Sequence, residues 1–120
     1  MIKTSFKVPI YDIHIDYIRI ETPDDSSQFS KIAKKLSLTE DDIDYVINNI
    51  HNGFNGGDTF RNMKLRRILV IIYRCKSEKV RRNVVNHEKR HVEDRILEYY
   101  NITDIEASAF LAGYLSEFIY

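Results

Sequence analysis

The sequence predicts one α+β domain, and three observations support that class. An alternating apolar pattern near the N-terminus indicates extended chain, a short run of branched apolar residues in the middle indicates a buried strand, and four segments have apolar residues at helical spacing. The expected order is strand, helix, helix, strands, helix, helix. A length of 120 residues suits one hydrophobic core, so we expect a single domain over residues 1–120.

The first half contains the alternating segment and two amphipathic helices. Residues 4–20 alternate with a change of phase near Pro9, which predicts a strand with a bulge or turn at the proline. A first helix is expected to begin near Ser26 or Ser27. A second should follow Thr39, a suitable N-cap, and end at Asn52 and Gly53.

The second half begins with turn residues and continues into a strand and two helices. The stretch NGFNGGD predicts chain reversal, and the run Ile68–Tyr73 predicts a strand buried on both faces. A long helix is expected from an N-cap at Ser77 to about Asn101, and a last helix from there to the C-terminus. The domain would then be a small sheet packed against the long helix and the C-terminal helix.

The composition indicates a globular protein of the cytoplasm. Apolar residues make up 43% of the chain, and no stretch has the length and apolar character of a membrane span. The N-terminal residues lack the unbroken apolar core of a signal peptide. Cys75 is the only cysteine, so no internal disulfide is possible, and we expect it to be a partly buried free thiol. No membrane partner is expected, and no oligomeric state is predicted.

Charge is balanced overall but uneven along the chain. Residues 61–95 carry twelve basic and four acidic side chains, whereas the segments on either side are both acidic. A basic block of this kind is compatible with binding DNA or RNA through phosphate contacts. Because the total charge is zero, the preferred interpretation is that residues 61–95 supply the solvated faces of a strand and a helix.

The candidate site is an H-E-x-x-H motif in the long predicted helix, formed by His87, Glu88 and His91. All three fall on or near the apolar side of the helix. Two histidines four residues apart can direct ring nitrogens at one Zn²⁺, while the intervening glutamate lies beside the metal, near a bound water molecule. The alternatives are a chance pattern, expected in roughly one such sequence in a hundred, and a satisfied pair of core histidines.

A catalytic zinc site needs a third protein ligand. Glu106 is the first candidate, because an antiparallel helix pair would return its carboxylate to the histidines. The competing role for Glu106 is structural, since residues 103–106 match a capping box. Asp94, one turn beyond His91 on the same helix face, is the rival ligand.

At these residues the chain resembles a known family. The sequences HEKRH and DIEASAF are similar to the gluzincin branch of zinc metallopeptidases, in particular the small zincin-like proteins of phages and mobile elements and the ImmA/IrrE-type peptidases that act on repressors. The resemblance covers about residues 68–115. It implies a minimal zincin-like fold, with His87, His91 and Glu106 as zinc ligands and Glu88 as the general base. It also implies that an extended substrate pairs with the strand Ile68–Tyr73.

One residue departs from the family pattern. Gluzincins commonly have a small residue just before the second histidine, where this chain has Arg90. The sequence thus predicts an intracellular metallopeptidase that hydrolyses peptide bonds in a protein or peptide substrate through a zinc-bound water, with Glu88 transferring the proton. The alternative is a non-catalytic zincin-like domain that binds a protein or nucleic-acid partner.

Overall fold

Four strands form one mixed sheet in the order β1-β2-β4-β3. The structure, a computed structural model, describes all 120 residues. The strands are β1 (Ile2–Val8), β2 (Ile13–Arg19), β3 (Gly57–Asn62) and β4 (Arg67–Ile72). β1 is antiparallel to β2, β2 is parallel to β4, and β3 is antiparallel to β4. β1 and β3 are therefore the two edge strands.

The phase change at Pro9 corresponds to a turn between two strands. β1 and β2 form a hairpin in which Val8 is paired with Ile13. Asp12, in the connection, has a φ of 52°, a left-handed conformation that Asp tolerates better than most residues. The predicted turn at the proline is confirmed, and the alternating segment forms two strands because the chain reverses there.

Two helices cover each face of the sheet. On one face are α1 (Asp25–Lys35) and α2 (Glu40–His51), and on the other are α3 (Glu78–Tyr99) and α4 (Ile105–Leu115). The Thr39 side chain accepts a hydrogen bond from the Asp42 amide and caps α2, and Ser77 caps α3 in the same way through Val80. These elements confirm the α+β class and both predicted caps. α4 ends at Leu115, short of the C-terminus to which the last helix was expected to run.

β4 is buried on both faces, because each face of the sheet carries its own apolar cluster. Ile68, Val70 and Ile72 pack under α3 and α4, whereas Leu69 and Ile71 pack under α1 and α2. All five are at most 2% exposed. An interior strand with helices on both sides requires an unbroken apolar run, as the sequence predicted for Ile68–Tyr73.

α3 and α4 are antiparallel and lie side by side. Lys89 Nζ donates to Ser116 Oγ at 3.0 Å, and Ser108 Oγ donates to Glu93 Oε1 at 3.3 Å. α4 also reaches the β1 edge, where Tyr114 donates to the Lys7 carbonyl at 2.8 Å. α3 contacts β3 and β4, so α4 flanks α3 on the side away from β3. None of the helices combines the length and the apolar character that crossing a membrane requires.

Candidate metal centre

His87, Glu88 and His91 come together on α3 as the only group of three or more potential ligands in the chain. One ligand atom from each residue lies within 4.8 Å of the others. The Nε2 atoms of His87 and His91 are 3.0 Å apart, and the two rings meet edge to face at 89°. The helix produces this arrangement, because residues four apart are neighbours on its surface.

The separation of the imidazole nitrogens is compatible with zinc. Two tetrahedral ligands at a Zn–N distance of about 2.0–2.1 Å are roughly 3.3 Å apart. The Nε2 atoms of His87 and His91 are 3.0 Å apart, and a small side-chain rotation would bring them to that separation. Without a metal, one ring can instead donate a hydrogen bond to the other. The two histidines present therefore fit one half of a tetrahedral metal site.

The three residues, expected on or at the edge of the apolar side of the helix, differ in burial. His87 is exposed and His91 is half-buried, while Glu88 is only 4% exposed. The buried face of α3 is formed by Val85, Glu88, Val92 and Ile96. The histidines lie beside that face, above the β3 edge of the sheet, where a metal could be reached from solvent.

Glu88 is held by a residue from the edge strand. Thr59 Oγ1 donates a hydrogen bond to Glu88 Oε1 at 2.8 Å. Glu88 Oε2 has no hydrogen-bond partner within the protein and can accept a hydrogen bond from another donor. A buried carboxylate without partners is costly, so this hydrogen bond offsets part of the cost of burying Glu88.

Gly57 allows β3 to approach α3 closely. A Cβ atom added at Gly57 would lie 2.8 Å from Glu88 Cγ and 2.8 Å from the Ile71 carbonyl oxygen. The Ile71 oxygen belongs to the sheet backbone and cannot move away as a flexible side chain could. Gly57 therefore determines how near the edge strand lies to the buried carboxylate.

A second carboxylate lies on the other face of β3. Asp58 Oδ2 accepts a hydrogen bond from Tyr73 Oη at 2.7 Å and lies 3.5 Å from Asn49 Nδ2. Burial raises the pKa of Asp58; the hydrogen bonds from Tyr73 and Asn49 oppose this rise, and the nearby charge of Glu88 adds to it. One carboxylate thus lies on each face of β3, Glu88 from α3 on one side and Asp58 of the strand itself on the other, and their charges interact.

An open cavity of about 330 Å³ lies in front of His87 and Glu88. The beginning of β3 and the exposed flank of α3 form its walls, and its lining residues are Phe54, Gly56, Gly57, Asn83, Val84, His87 and Glu88. Arg90, which departs from the gluzincin pattern, is exposed on α3 and does not line the cavity. The cavity gives an extended ligand access to Glu88 along the edge strand.

The structure does not bring Glu106 to the histidines. Glu106 is exposed in the first turn of α4, where its amide donates to Asp104 Oδ1 at 2.9 Å. Lys89 and Glu93, which hydrogen-bond to Ser116 and Ser108 of α4 and its C-cap, each follow a histidine by two residues, a rotation of about 200° around the helix. The width of α3, about 10 Å with side chains, therefore separates α4 from the metal-binding flank.

The capping-box role of Glu106 is also absent. Asp104, not Thr103, is the N-cap of α4, so Glu106 is one residue too early to close such a box. Asp94, the rival ligand, is exposed one turn beyond His91 on the flank that carries both histidines. Its carboxylate is outside the group of atoms within 4.8 Å.

The strand available to an extended peptide differs from the expected one. The run Ile68–Tyr73 lies in β4 except for Tyr73, which follows the strand. β4 pairs with β2 on one side and with β3 on the other, so this strand has no free edge. β3 is the edge strand beside the candidate site. Sequence reasoning missed Thr59 and Gly57, and the only signal was the Gly56–Gly57 pair, which was interpreted as turn chemistry alone.

Parts of the basic block 61–95 lie at opposite ends of β4. Arg66 and Arg67 lie at the start of β4, whereas Arg81 and Arg82 lie beyond its other end, in the first turns of α3. Arg67 is paired with Asp16 at 3.0 Å, and Arg81 with Glu78. Weak, salt-sensitive binding of nucleic acid stays a prediction.

The chain was compared with known proteins by family, by sequence and by structure. No protein-family model matches the chain, and neither a curated protein nor a solved structure matches it.

Proposed function

We propose that the chain is a zinc-dependent metallopeptidase in which His87 and His91 hold the metal and Glu88 is the general base. The observation that supports this most directly is the group of ligand atoms on α3, with the two Nε2 atoms 3.0 Å apart and a Glu88 oxygen within 4.8 Å of both. Zn²⁺ at this position supplies Lewis-acid polarisation of a carbonyl and lowers the pKa of a water molecule.

Glu88 is suited to move the proton. Thr59 holds Oε1, which leaves Oε2 free to accept a proton from the attacking water and later to deliver it to the leaving amine. Its position on the buried face of α3 keeps the Glu88 carboxylate away from bulk solvent, where water would screen its interaction with a nearby cation. The same hydrogen bond limits the rotamers that Glu88 can adopt, so its position is defined before substrate arrives.

The substrate of this proposal is an extended peptide. The outer side of β3 has unpaired backbone groups, and a peptide can add to such an edge as a further strand. The cavity that includes His87 and Glu88 begins at the same strand, at Gly57. A peptide paired with β3 would therefore pass the metal-binding flank of α3.

The third ligand is assigned differently from the family resemblance. Glu106 would need α4 to cross to the other flank of α3, whereas Asp94 already lies on the flank that carries both histidines. Asp94 is therefore the favoured carboxylate ligand of this proposal, and Glu106 is the ligand that the gluzincin resemblance implies. A cytoplasmic location and a phage or mobile-element origin belong to the same proposal. The single Cys75 supports the first, and the motif resemblance alone supports the second.

A non-catalytic domain is the second candidate, and the position of α4 favours it. The group on α3 contains two histidines and, besides Glu88, no carboxylate that could be the third ligand, so it has too few ligands for a stable catalytic centre. In that case the histidine pair would bind metal weakly or serve only the stability of α3, and the β3 edge would bind a protein partner. Metal-dependent turnover separates the two candidates.

The test is cleavage of a pool of internally quenched fluorescent peptides by zinc-loaded protein. Glu88→Gln should retain zinc and lose hydrolysis, because an amide cannot accept the proton. Glu98→Gln, which removes an exposed carboxylate from the same helix, is the matched control and should retain both. Loss of zinc from Glu88→Gln would make Glu88 a ligand, and no metal-dependent cleavage by the wild type would favour the non-catalytic domain.

A further inference from the structure

Two cavities lie where the parallel strands β2 and β4 end. β2 leads into α1 on one face of the sheet, and β4 leads into α3 on the other face. The connections thus diverge between two adjacent parallel strands, and crevices at such a divergence are preferred ligand sites in sheets with helices on both faces. Each of the two cavities has a volume of about 380 Å³, and both are lined by residues 73–76.

The cavity on the α3 side is rich in cationic side chains. Arg19 comes from the end of β2, Arg74 and Lys76 from the segment after β4, and Arg81 from the second turn of α3. Of the two carboxylates that also line it, Glu78 pairs with Arg81 within the cavity, and Glu21 pairs with the N-terminal amine at 2.8 Å.

Three of these cations have no partner. Arg19, Arg74 and Lys76 form no ion pair with any carboxylate of the chain. Cys75 also lines the cavity, and burial raises the pKa of its thiol, so the thiol is neutral at physiological pH and does not offset their charge. The cavity therefore carries an excess of positive charge that the protein itself does not balance.

Arg81 has a buried nitrogen without an acceptor. Its Nε and Nη2 donate to Glu78, while Nη1 is buried and has no hydrogen-bond partner. Because Nη1 is closed off from solvent, an anion in the cavity would interact with the charge of Arg81 and not with this nitrogen. The positive end of the α3 dipole lies at the same cavity and also favours an anion.

We propose that this cavity binds a phosphate group, either as the free ion or as the terminal group of a small organic phosphate. A dianion with several acceptor oxygens matches the three unpaired cations better than a monoanion does. The second cavity, across residues 73–76, has apolar walls at Ile20, Ile50 and Phe54 and is large enough for the organic part. The cationic cavity shares no residue with the cavity at His87 and Glu88, whereas Phe54 lines both that cavity and the second one.

The experiment uses the full chain with inorganic phosphate, AMP and adenosine as probes, at constant ionic strength set with chloride. Phosphate and AMP should raise the melting temperature and bind in calorimetric titrations, and adenosine should do neither. Tighter binding of AMP than of phosphate would identify an organic phosphate that also uses the second cavity. Equal binding would identify the free ion.

Variants locate the binding. Arg19→Gln and Arg74→Gln should each weaken phosphate binding about tenfold or more, the loss expected when a charge-assisted hydrogen bond is removed. Arg82→Gln is the matched control, because Arg82 is a neighbouring exposed arginine of α3 that does not line the cavity. No stabilisation beyond that of chloride, or an equal loss in Arg82→Gln, would overturn the proposal. Binding of oligonucleotides without binding of small phosphates would replace it with a nucleic-acid surface.

Discussion

Thr59 and Glu88 join the edge strand to the long helix by a partly buried hydrogen bond of 2.8 Å between side chains 29 residues apart. Glu88 is 4% exposed, so this bond satisfies a carboxylate that has little contact with water. The same carboxylate is the central residue of the H-E-x-x-H motif. The geometry of the candidate site therefore depends on β3 as much as on α3.

Thr59→Val tests this dependence, because valine keeps the shape of threonine and removes the donor. We expect the free energy of unfolding to fall by about 1–3 kcal/mol, the cost of leaving a buried acceptor unsatisfied. Urea unfolding at neutral pH measures the change. Thr59→Ser retains the hydroxyl and should recover most of the loss; similar destabilisation by both variants would mean that packing of the methyl group, and not the hydrogen bond, matters at this position.

Gly57→Ala tests the close approach of β3 to α3. The added methyl group would lie 2.8 Å from the Ile71 carbonyl oxygen and from Glu88 Cγ, so the strand must shift. We expect destabilisation of about 1–3 kcal/mol, as for overpacking of a core.

Gly113→Ala is the control for that change. Gly113 is exposed within α4, and an added Cβ would have no heavy atom within 4 Å. Alanine should stabilise the helix there by up to about 1 kcal/mol. Thermal unfolding of the two variants should therefore shift in opposite directions, and a Gly57→Ala protein as stable as the wild type would show that β3 can move without cost.

Local sequence signals predicted much of the fold. Thr39 and Ser77 were identified as N-caps because their side chains precede helical apolar spacing, and both accept the expected hydrogen bonds. The apolar run Ile68–Tyr73 predicted a doubly buried strand, which β4 is. These features depend on residues close together in the chain, where the periodicity of apolar positions is directly visible.

The neighbours of the candidate site depend on contacts between distant segments, which periodicity does not reveal. Spacing placed Glu106 on an antiparallel helix but could not show which flank of α3 that helix would cover. Long-range contacts at the far side of the sheet, such as the stacking of Phe6 on Phe118 at 4.3 Å and the Tyr114–Lys7 hydrogen bond, hold α4 and the chain after it near β1. The pairing of β3 with β4 determines where Thr59 lies, and no spacing of residues in the sequence links Thr59 to Glu88.

His87→Ala and His91→Ala test metal binding. Zinc-treated wild-type protein should hold one zinc per chain, and either substitution should remove it, because a single histidine cannot hold the ion at this position. Elemental analysis after dialysis gives the stoichiometry, and a strong chelator should lower the melting temperature of the wild type only. His14→Ala, at an exposed position on β2, is the control; a wild type that takes up no zinc would remove the metal centre from the proposal.

Asp58→Asn should change the pH dependence of stability. Burial raises the pKa of Asp58 above its ordinary value of 3.8, so the folded state favours the protonated carboxyl. The contribution of this carboxyl to the free energy of unfolding is therefore fully present below pH 3.8 and is lost as pH rises through the pKa of the folded state. The amide introduced by the substitution is neutral and can still accept from Tyr73, so between pH 4 and 7 the variant should gain stability relative to the wild type. Urea unfolding midpoints measure this difference. Asp44→Asn, at an exposed position on α2, is the control.

Asp94→Asn and Glu106→Gln distinguish the two candidates for the third zinc ligand. A neutral amide is a much poorer zinc ligand than a carboxylate, so substitution of the true ligand should weaken zinc binding by at least the roughly 10–100-fold found when residues supporting the ligands are lost. Both carboxylates are exposed, so neither change should unfold the protein. Zinc titrations with a competing chelator measure both affinities against the wild type.

The position of α4 predicts which variant loses affinity. α4 contacts α3 through Lys89 and Glu93, opposite the flank of His87 and His91, so Glu106→Gln should leave zinc affinity intact. Asp94 follows His91 by one turn on the metal-binding flank, so Asp94→Asn should weaken it. A loss confined to Glu106→Gln would mean that metal binding draws α4 across α3 into the gluzincin-like arrangement. If both variants bind zinc as the wild type does, neither Asp94 nor Glu106 is a ligand, and a site held by His87 and His91 lacks the third protein ligand that a catalytic centre needs.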